Sequence, residues 1–330
     1  MSGLGIHCAK QRGASSSPVS VRAMRGPLVE ARVPETARRR RRRFRARAAA
    51  VLALITAVLV GAGVLDGGSR TAPSGANAHP PLPRARIGVR HTPRLSLRAR
   101  LARSEARAVD RVLREMPYVS VAGHRRREIA LTFDDGPGPY TLGIVRVLRR
   151  LHVPATFFQL GFSEHWFTDA ERALLRDPAF VIGDHTEIHP RLDRLGKAAQ
   201  RSQIDQQAAV LRAAGGPSPR MFRPPYGAFD ATTLRLLRRR HMLMVLWTVD
   251  TQDYRRPGVR FIVRRALSGA RPGAILLMHD AGGDRTQTIA ALPLIIRKLR
   301  ARHFRLVTVP RLLHDDPPPR DQPHPQYGAG

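Results

Sequence analysis

From residue 128 onwards, short apolar runs alternate with longer segments whose apolar residues recur every three or four positions. Short apolar runs bounded by turn residues predict buried strands, and the longer spacing predicts helices. The predicted strands are Ile129–Phe133, Ala155–Leu160, Phe180–Gly183, Met221–Arg223, Met242–Thr248, Ala274–Met278 and Arg305–Val309. The predicted helices are Thr141–Leu151, Ala170–Arg176, Gln200–Ala214, Ala231–Arg240, Val259–Ala270 and Thr286–Arg302. This alternation predicts an α/β fold in which helices flank a parallel sheet, either a barrel or a doubly wound sheet.

Ala48 to Leu65 contains 18 residues without a charge, about the length that spans a bilayer as a helix. Eight arginines between residues 38 and 47 precede it, and the positive-inside rule places such a flank in the cytoplasm. We therefore expect a single N-terminal transmembrane helix at 48–65, with the following residues outside the cell membrane. A cleaved secretory signal is the alternative, because Ala76-Asn77-Ala78 resembles a processing site, although it lies well beyond the apolar run.

The remaining segments differ in composition. Residues 1–47, rich in Gly, Ser, Pro and Arg, are expected to form a disordered basic cytoplasmic tail. Residues 66–116 are expected to be a linker followed by a stalk helix from Leu95 to Met116, packed on the domain or on its neighbour. The compact domain is expected over residues 117–314, and residues 315–330 are expected to be a Pro-rich tail.

The net charge of +32 is unevenly distributed. Residues 1–127 hold 27 Lys+Arg against 6 Asp+Glu, whereas residues 128–330 hold 30 against 19. Aromatic residues are only 5% of the chain and the densest basic cluster flanks an apolar segment, so no nucleic-acid partner is expected. The single cysteine, Cys8, lies in the predicted cytoplasmic tail, so the exported part has neither a disulfide nor a thiolate metal site.

Two adjacent acids, Asp134 and Asp135, follow the apolar run that ends at Phe133 and precede a Gly-Pro turn. Parallel α/β folds place their chemistry at the carboxyl ends of strands, which is where both carboxylates are expected. Two acids at such a position can divide the work, one binding a metal and the other moving a proton. Asp-Asp-Gly-Pro alone is more often only a turn.

His185 and His189 are four residues apart, so on a single helical turn they would face the same side and bind one metal ion. An upstream aspartate completes an Asp/His/His set, and three protein ligands leave a position for water, as in catalytic zinc sites. Two histidines at this spacing are by themselves more often only part of a solvated face.

Three further segments carry polar residues at the ends of predicted strands. They are Phe222-Arg223-Pro224-Pro225-Tyr226-Gly227, Asp250-Thr251-Gln252-Asp253-Tyr254 and Leu277-Met278-His279. Taken singly, Arg223 reads as a surface charge in an arginine-rich chain, and His279 reads as a structural histidine at a buried strand end.

Together, these segments make residues 128 to 312 resemble the polysaccharide deacetylases, the NodB-homology group of carbohydrate esterases. Five signatures occur in the family's order: Thr132–Pro137, His185–Pro190, Arg223–Gly227, Asp250–Tyr254 and Leu277–His279. Any one signature is weak to moderate evidence, whereas five in sequence are specific. The resemblance implies a distorted (β/α) barrel, and it leaves the N-terminal anchor, linker and stalk unexplained.

The resemblance also implies roles for individual residues. Asp135, His185 and His189 would bind a divalent metal, with zinc the expected ion, and Asp134 would be the general base. Arg223 would hold Asp134 ionised, since a neighbouring cation favours the carboxylate. The Tyr226 backbone N–H would stabilise the oxyanion, His279 would be the general acid, and Asp253 would orient His279 and keep it cationic. The residues implied to line the substrate are Pro225, Tyr226, Tyr254 and Leu277.

Four positions depart from the family pattern. Tyr254 stands where a Trp is usual, Asp184 replaces a frequent Asn, and Glu187 and Ile188 replace aromatic and small residues between the histidines. Asp184 could tighten metal binding or cap a helix. None of these positions carries one of the implied catalytic roles, so the departures concern the substrate rather than the reaction type.

The expected activity is therefore removal of N-acetyl groups from an extracytoplasmic polysaccharide, with peptidoglycan the first candidate. The partners would be that N-acetylated glycan and, through the N-terminal helix, the membrane. Three alternatives use the same residues: acetyl-ester hydrolysis on a plant or wall polysaccharide, a non-haem Fe(II) oxygenase, and a catalytically silent glycan-binding or membrane scaffold module. No oligomeric state follows from the sequence.

Overall fold

The computed structural model describes residues 97–323. The expected cytoplasmic tail, the apolar segment 48–65 and the linker that follows it lie outside the described residues. None of the helices formed by residues 97–323 has the length and apolar character needed to cross a membrane.

The described residues form strands β1 to β9 and helices α1 to α9. The strands are Tyr118–Val119, Glu128–Gly136, Ala155–Gln159, Phe180–Asp184, Met221–Phe222, Leu243–Val245, Val249–Asp250, Ala274–His279 and Arg305–Val307. The helices are Leu97–Glu115, Thr141–Arg150, Gly161–Glu164, Thr168–Arg176, Lys197–Ala213, Ala231–Arg239, Val259–Ser268, Thr286–Ala301 and Val309–Asp315. Each predicted strand and helix is present, but the run predicted as one strand over Met242–Thr248 is divided between β6 and β7. The sequence pattern did not predict β1, α3 or α9.

All neighbouring strands of the sheet run parallel, in the order β1-β6-β5-β4-β3-β2-β8-β7, with β9 paired to the start of β2. The sheet curls, because the chain after β1 returns to the start of β8. There the Ala122 N–H donates to the Gly273 carbonyl over 2.9 Å, and Val121 forms an antiparallel bridge with Ala274. The expected distorted barrel is therefore a curled half-barrel. The chain after β1 meets β8 through an isolated bridge and not through a continuous ladder of strand hydrogen bonds.

Strand β2 shows how the sheet separates its two faces. Ile129, Leu131 and Phe133 are buried in the apolar layer beneath helices α2 and α8. Ala130 lies instead in a second apolar cluster inside the curl, and Thr132 on the same face contacts Arg223. Because side chains alternate along a strand, the inward face carries the chemistry while the outward face is covered by helices.

Helix α1 is packed on the same domain. Its residues Val109 and Val112, and Met116 directly after it, are buried in one cluster with Leu312 and Leu313 of α9. The segment that follows α9 also returns to the domain. The Asp316 carboxylate accepts the backbone N–H groups of Arg125 and Arg126 at 2.6 and 2.9 Å, and the Gln322 side chain accepts the Ser120 N–H at 2.7 Å.

Candidate active site

Asp134 and Asp135 both face the inner side of the sheet because β2 is irregular at this point. Its register with β3 shifts between Asp134 and Gly136, and Asp135 has a positive φ of 74°. On a regular strand, two successive side chains would point to opposite faces. A bulge of this kind redirects one side chain, so both carboxylates serve the same cleft.

His185 and His189 lie on a loop after β4, so the prediction that a helical turn carries them was wrong. The Asp184 carboxylate accepts the Thr186 N–H at 2.7 Å, and the Thr186 hydroxyl accepts the His189 N–H at 3.1 Å. Thr186 and His189 have positive φ values of 74° and 63°. Short polar side chains that bond to the local backbone favour a tight turn over a helix. This turn still brings the two imidazole rings to 5.0 Å, centroid to centroid.

Three side chains converge as the sequence predicts for a metal site. The Asp135 Oδ1 atom lies 3.2 Å from His189 Nε2 and 3.5 Å from His185 Nε2. The His185 Nδ1 atom donates to the Arg223 carbonyl at 2.6 Å, which turns the unprotonated Nε2 towards the cluster. Although Asp135 Oδ1 is buried, it has no hydrogen-bond partner among the described residues. One carboxylate oxygen and two imidazole nitrogens fit a divalent cation such as zinc.

The charge states of these groups match that assignment. Burial raises the pKa of the Asp135 carboxyl, but the adjacent His185 imidazole and the nearby His279 outweigh burial and hold the pKa well below its ordinary value. Burial and the neighbouring His185 lower the pKa of His189 to about 4. Asp135 is therefore ionised and His189 is neutral near pH 7, which are the forms that bind metals.

Arg223 is a fully buried guanidinium that fixes Asp134. It donates to Asp134 Oδ1 and to the Thr132 hydroxyl, both at 2.7 Å. It also donates to the carbonyls of Val245 and Leu246 at 2.9 and 3.0 Å. With Oδ1 bonded to Arg223, the Asp134 Oδ2 atom remains on the side of the metal ligands, 3.8 Å from His185 Nε2.

His279 lies beside Asp134, because the two residues are register partners on β8 and β2. The His279 Nδ1 atom donates to Asp253 Oδ1 at 2.8 Å, while Asp253 Oδ2 accepts the His279 N–H and the Thr288 hydroxyl. Burial lowers the pKa of His279, but the Asp253 carboxylate outweighs it and raises the pKa to about 9. The imidazole therefore carries a proton on Nε2 at neutral pH.

The four residues predicted to line the substrate lie in different environments. The Tyr226 ring is 57% exposed and packs edge-on against His189 at 4.6 Å. Tyr254 packs edge-on against His279 at 5.2 Å, and its hydroxyl donates to Asp250. Pro225 and Leu277 are buried, and Leu277 packs in the apolar cluster that contains Trp247. The two tyrosines therefore border the metal and acid groups, whereas Leu277 is 4% exposed and forms part of the wall behind them.

Sequence reasoning missed Asp280 as a member of the site. Its carboxylate is buried against Gly136 and accepts the Thr141 hydroxyl at 2.5 Å, and its N–H donates to the Asp134 carbonyl. Burial and the nearby Asp135 raise its pKa to about 7. The feature of the sequence that could have indicated this role is the position of Asp280 directly after His279.

A second missed group lies on the outward face of the sheet, behind the histidine loop. Gln159 and Asp184 are register partners on β3 and β4, and Glu164 and Glu171 come from the helices that follow β3. All four side chains are buried, and Asp184 does not cap a helix, since its carboxylate accepts the Thr186 N–H in the turn that carries His185. Burial raises the pKa of Glu164 to about 9 and of Glu171 to about 7.

A curled α/β sheet with an Asp/His/His cation site, a buried carboxylate bonded to an arginine and a cationic histidine is the arrangement of a metal-dependent hydrolase. The sequence profile of the family "Polysaccharide deacetylase" matches residues 122–245. The chain belongs to this family, the NodB-homology group or carbohydrate esterase family four, and it is a hydrolase of the deacetylase class.

Two relatives and one solved structure show the extent of the similarity. A peptidoglycan-N-acetylglucosamine deacetylase of Bacillus cereus is 32% identical over 197 residues, covering 59% of this chain and 71% of that protein. A chitooligosaccharide deacetylase of Azorhizobium caulinodans is 34% identical over 195 residues, covering 55% and 92%. The crystal structure of the Bc1960 peptidoglycan N-acetylglucosamine deacetylase superposes with a TM-score of 0.58 at 31% identity, covering 61% of this chain and 94% of that one.

Proposed function

We propose that this protein hydrolyses N-acetyl groups on an extracytoplasmic polysaccharide of N-acetylglucosamine type, with peptidoglycan the first candidate. The observation that carries the proposal is that the Asp134 carboxylate and the cationic His279, which are register partners, lie together beside one cation site. The relatives support the substrate class, since they are named for peptidoglycan N-acetylglucosamine and for chitooligosaccharides.

Asp134 is the proposed general base. Its Oδ1 atom is bonded to Arg223, so the free Oδ2 atom on the side of the metal ligands accepts the proton of the attacking water. The bond to the guanidinium removes the rotational freedom of the carboxylate. Orientation matters here because a base acts only when its lone pair points at the proton that it abstracts.

His279 is the proposed general acid. An amine anion is a poor leaving group, so the amide nitrogen must gain a proton as its bond to the acetyl carbon breaks. Because Asp253 holds the Nδ1 proton, the Nε2 proton of the imidazolium is the one available for donation. The Tyr226 N–H is the proposed donor to the oxyanion, beside His189.

Asp135, His185 and His189 would hold the divalent metal, for which zinc is the proposed ion. When bound, the metal polarises the acetyl carbonyl and lowers the pKa of water.

The test measures acetate release and analyses the products by mass spectrometry after incubation with peptidoglycan, chitin oligomers and acetylated xylan. Asp134→Asn and His279→Gln are each expected to lower the rate by on the order of a hundredfold or more. Asp110→Asn, a surface acid paired with Arg220, is the matched control and is expected to retain full activity. Full activity in Asp134→Asn would refute the assigned base, and release from acetylated xylan alone would make the enzyme an esterase.

The proposed location is the outer face of the cell membrane, with residues 48–65 as the anchor. Cys8, the only cysteine, provides a test because it would lie in the cytoplasm. A membrane-impermeant thiol reagent is expected to label the protein in lysed cells and not in intact cells. A mature protein that carries no thiol and leaves the membrane fraction would show instead that the segment is cleaved.

A further inference from the structure

Within residues 97–323, five large hydrophobic side chains are strongly exposed, and four of them belong to one region. Phe162, Trp166, Ile188 and Tyr226 are 54%, 68%, 61% and 57% exposed. We call these four residues the aromatic patch. Single exposed apolar residues are common, whereas several in one region mark a place where a ligand or partner binds.

The aromatic patch is continuous with the candidate active site. Tyr226 packs against His189 at 4.6 Å, and Ile188 is the residue directly before His189. Helix α3 is tied to the histidine loop, since the Phe162 N–H donates to the Glu187 carbonyl at 3.0 Å. The rings of Phe162 and Trp166 lie 6.3 Å apart, so the patch extends from the metal ligands onto α3 and the residues after it.

Aromatic rings suit one class of ligand that the proposed function already requires. One face of a pyranose ring presents C–H groups, which carry a small positive charge and pack on the electron-rich face of an aromatic side chain. Tryptophan and tyrosine provide such surfaces at low cost in conformational entropy, because each has only two side-chain torsions.

Charge argues against a membrane as the ligand of the patch. Residues 155–190, which carry three of its four members, contain only two of the chain's 57 Lys+Arg. Arg191, just beyond them, is paired with Asp193 at 2.7 Å. Protein surfaces that bind anionic lipids carry clusters of basic residues, whereas an uncharged sugar needs none.

Resting on the proposed function, we propose that the aromatic patch is a glycan subsite. It binds a sugar ring of the polysaccharide next to the residue that loses its acetyl group. The protein would consequently act on extended chains in preference to short ones.

Trp166 reports on this binding directly. The chain contains two tryptophans, and the other, Trp247, is only 8% exposed. Titrating full-length Asp134→Asn protein with N-acetylglucosamine oligomers of increasing length is expected to change the Trp166 fluorescence, with an affinity that rises with length. The same titration of the Asp134→Asn/Trp166→Phe variant should show no such change.

Kinetics of otherwise native protein provide the second measurement. Trp166→Ala and Phe162→Ala are each expected to raise KM roughly two- to tenfold for long oligomers while leaving kcat and the KM for short ones unchanged. Leu142→Ala, which removes the fifth exposed side chain at 37% exposure on α2, is the control and should leave every value unchanged.

The outcomes separate the subsite from the proposed function. A fluorescence response without acetate release from any glycan would support the subsite and refute the deacetylase activity on these substrates. Acetate release with equal KM at all lengths, unaffected by Trp166→Ala, would overturn the subsite alone. Loss of binding to phosphatidylglycerol vesicles in Trp166→Ala, with oligomer kinetics unchanged, would show that the aromatic patch contacts the membrane instead.

Discussion

Replacing Arg223 by methionine tests whether the buried ion pair supports both the fold and the base. The guanidinium is fully buried, Asp134 is 3% exposed, and the two side chains meet at 2.7 Å. The Arg223→Met variant would leave the Asp134 carboxylate buried without its cation, which typically costs about 3–5 kcal/mol. For a domain of this size, we therefore expect the melting temperature to fall by roughly 6–20 °C.

A double-mutant cycle separates this charge effect from lost packing. Asp134→Asn alone leaves a buried guanidinium unpaired, whereas Asp134→Asn with Arg223→Met removes both charges. The cost of the double variant, measured by urea denaturation, should fall short of the summed single costs by about 1–3 kcal/mol. Arg172→Met, in an exposed pair with Asp169, is the control and should cost less than about 1 kcal/mol. Additive costs, or an unchanged midpoint in Arg223→Met, would refute the reasoning.

Three further predictions follow from the charges of the site. Because the pKa of His279 is raised to about 9, activity should fall as pH rises through that value, and Asp253→Asn should move this alkaline limb of kcat/KM down by one unit or more. Chelation should abolish acetate release and lower the melting temperature, zinc should restore both, and Asp135→Asn should weaken the response to zinc. Burial raises the pKa of Glu164 from 4.5 to about 9, so the folded state binds its proton more tightly and loses stability as pH rises between those values. The melting temperature of Glu164→Gln should therefore exceed that of the parent at pH 8 and equal it at pH 4. Asp169→Asn, which changes an 81% exposed acid, is the control and should leave the melting temperature unchanged at both pH values.

The strand ends that carry Asp134 and His279 could be predicted from the sequence because burial dictates the pattern there. Both follow apolar runs that lie inside a parallel sheet, and near-continuous apolar runs of this kind are typical of strands buried on both faces. The division of one predicted run into β6 and β7 was not predictable in this way, since every residue from Met242 to Trp247 is apolar and buried in either arrangement.

The histidine loop shows the limit of spacing as a signal. Four residues separate His185 from His189 in a helical turn and equally in a tight loop. The hydrogen bonds of Asp184 and Thr186 decide between them, and the outcome depends on where β4 ends. The family resemblance predicted that Asp135, His185 and His189 converge, as they do, without specifying this backbone.

The buried acids behind that loop could not have been found by inspecting local sequence. Glu164 and Glu171 stand in amphipathic surroundings where acids are usually solvated. Only the pairing of Gln159 with Asp184 across β3 and β4, and the packing of the next helices over them, brings these groups together away from water.

The irregular residue in β2 has a consequence for protein design. A chemist who moved the Asp-Asp pair onto another parallel strand would need to transplant the extra residue as well, because a straight strand sends one acid into the helical layer. On such a straight strand, the proton acceptor and the metal ligand would point to opposite faces of the sheet and would no longer serve one cleft.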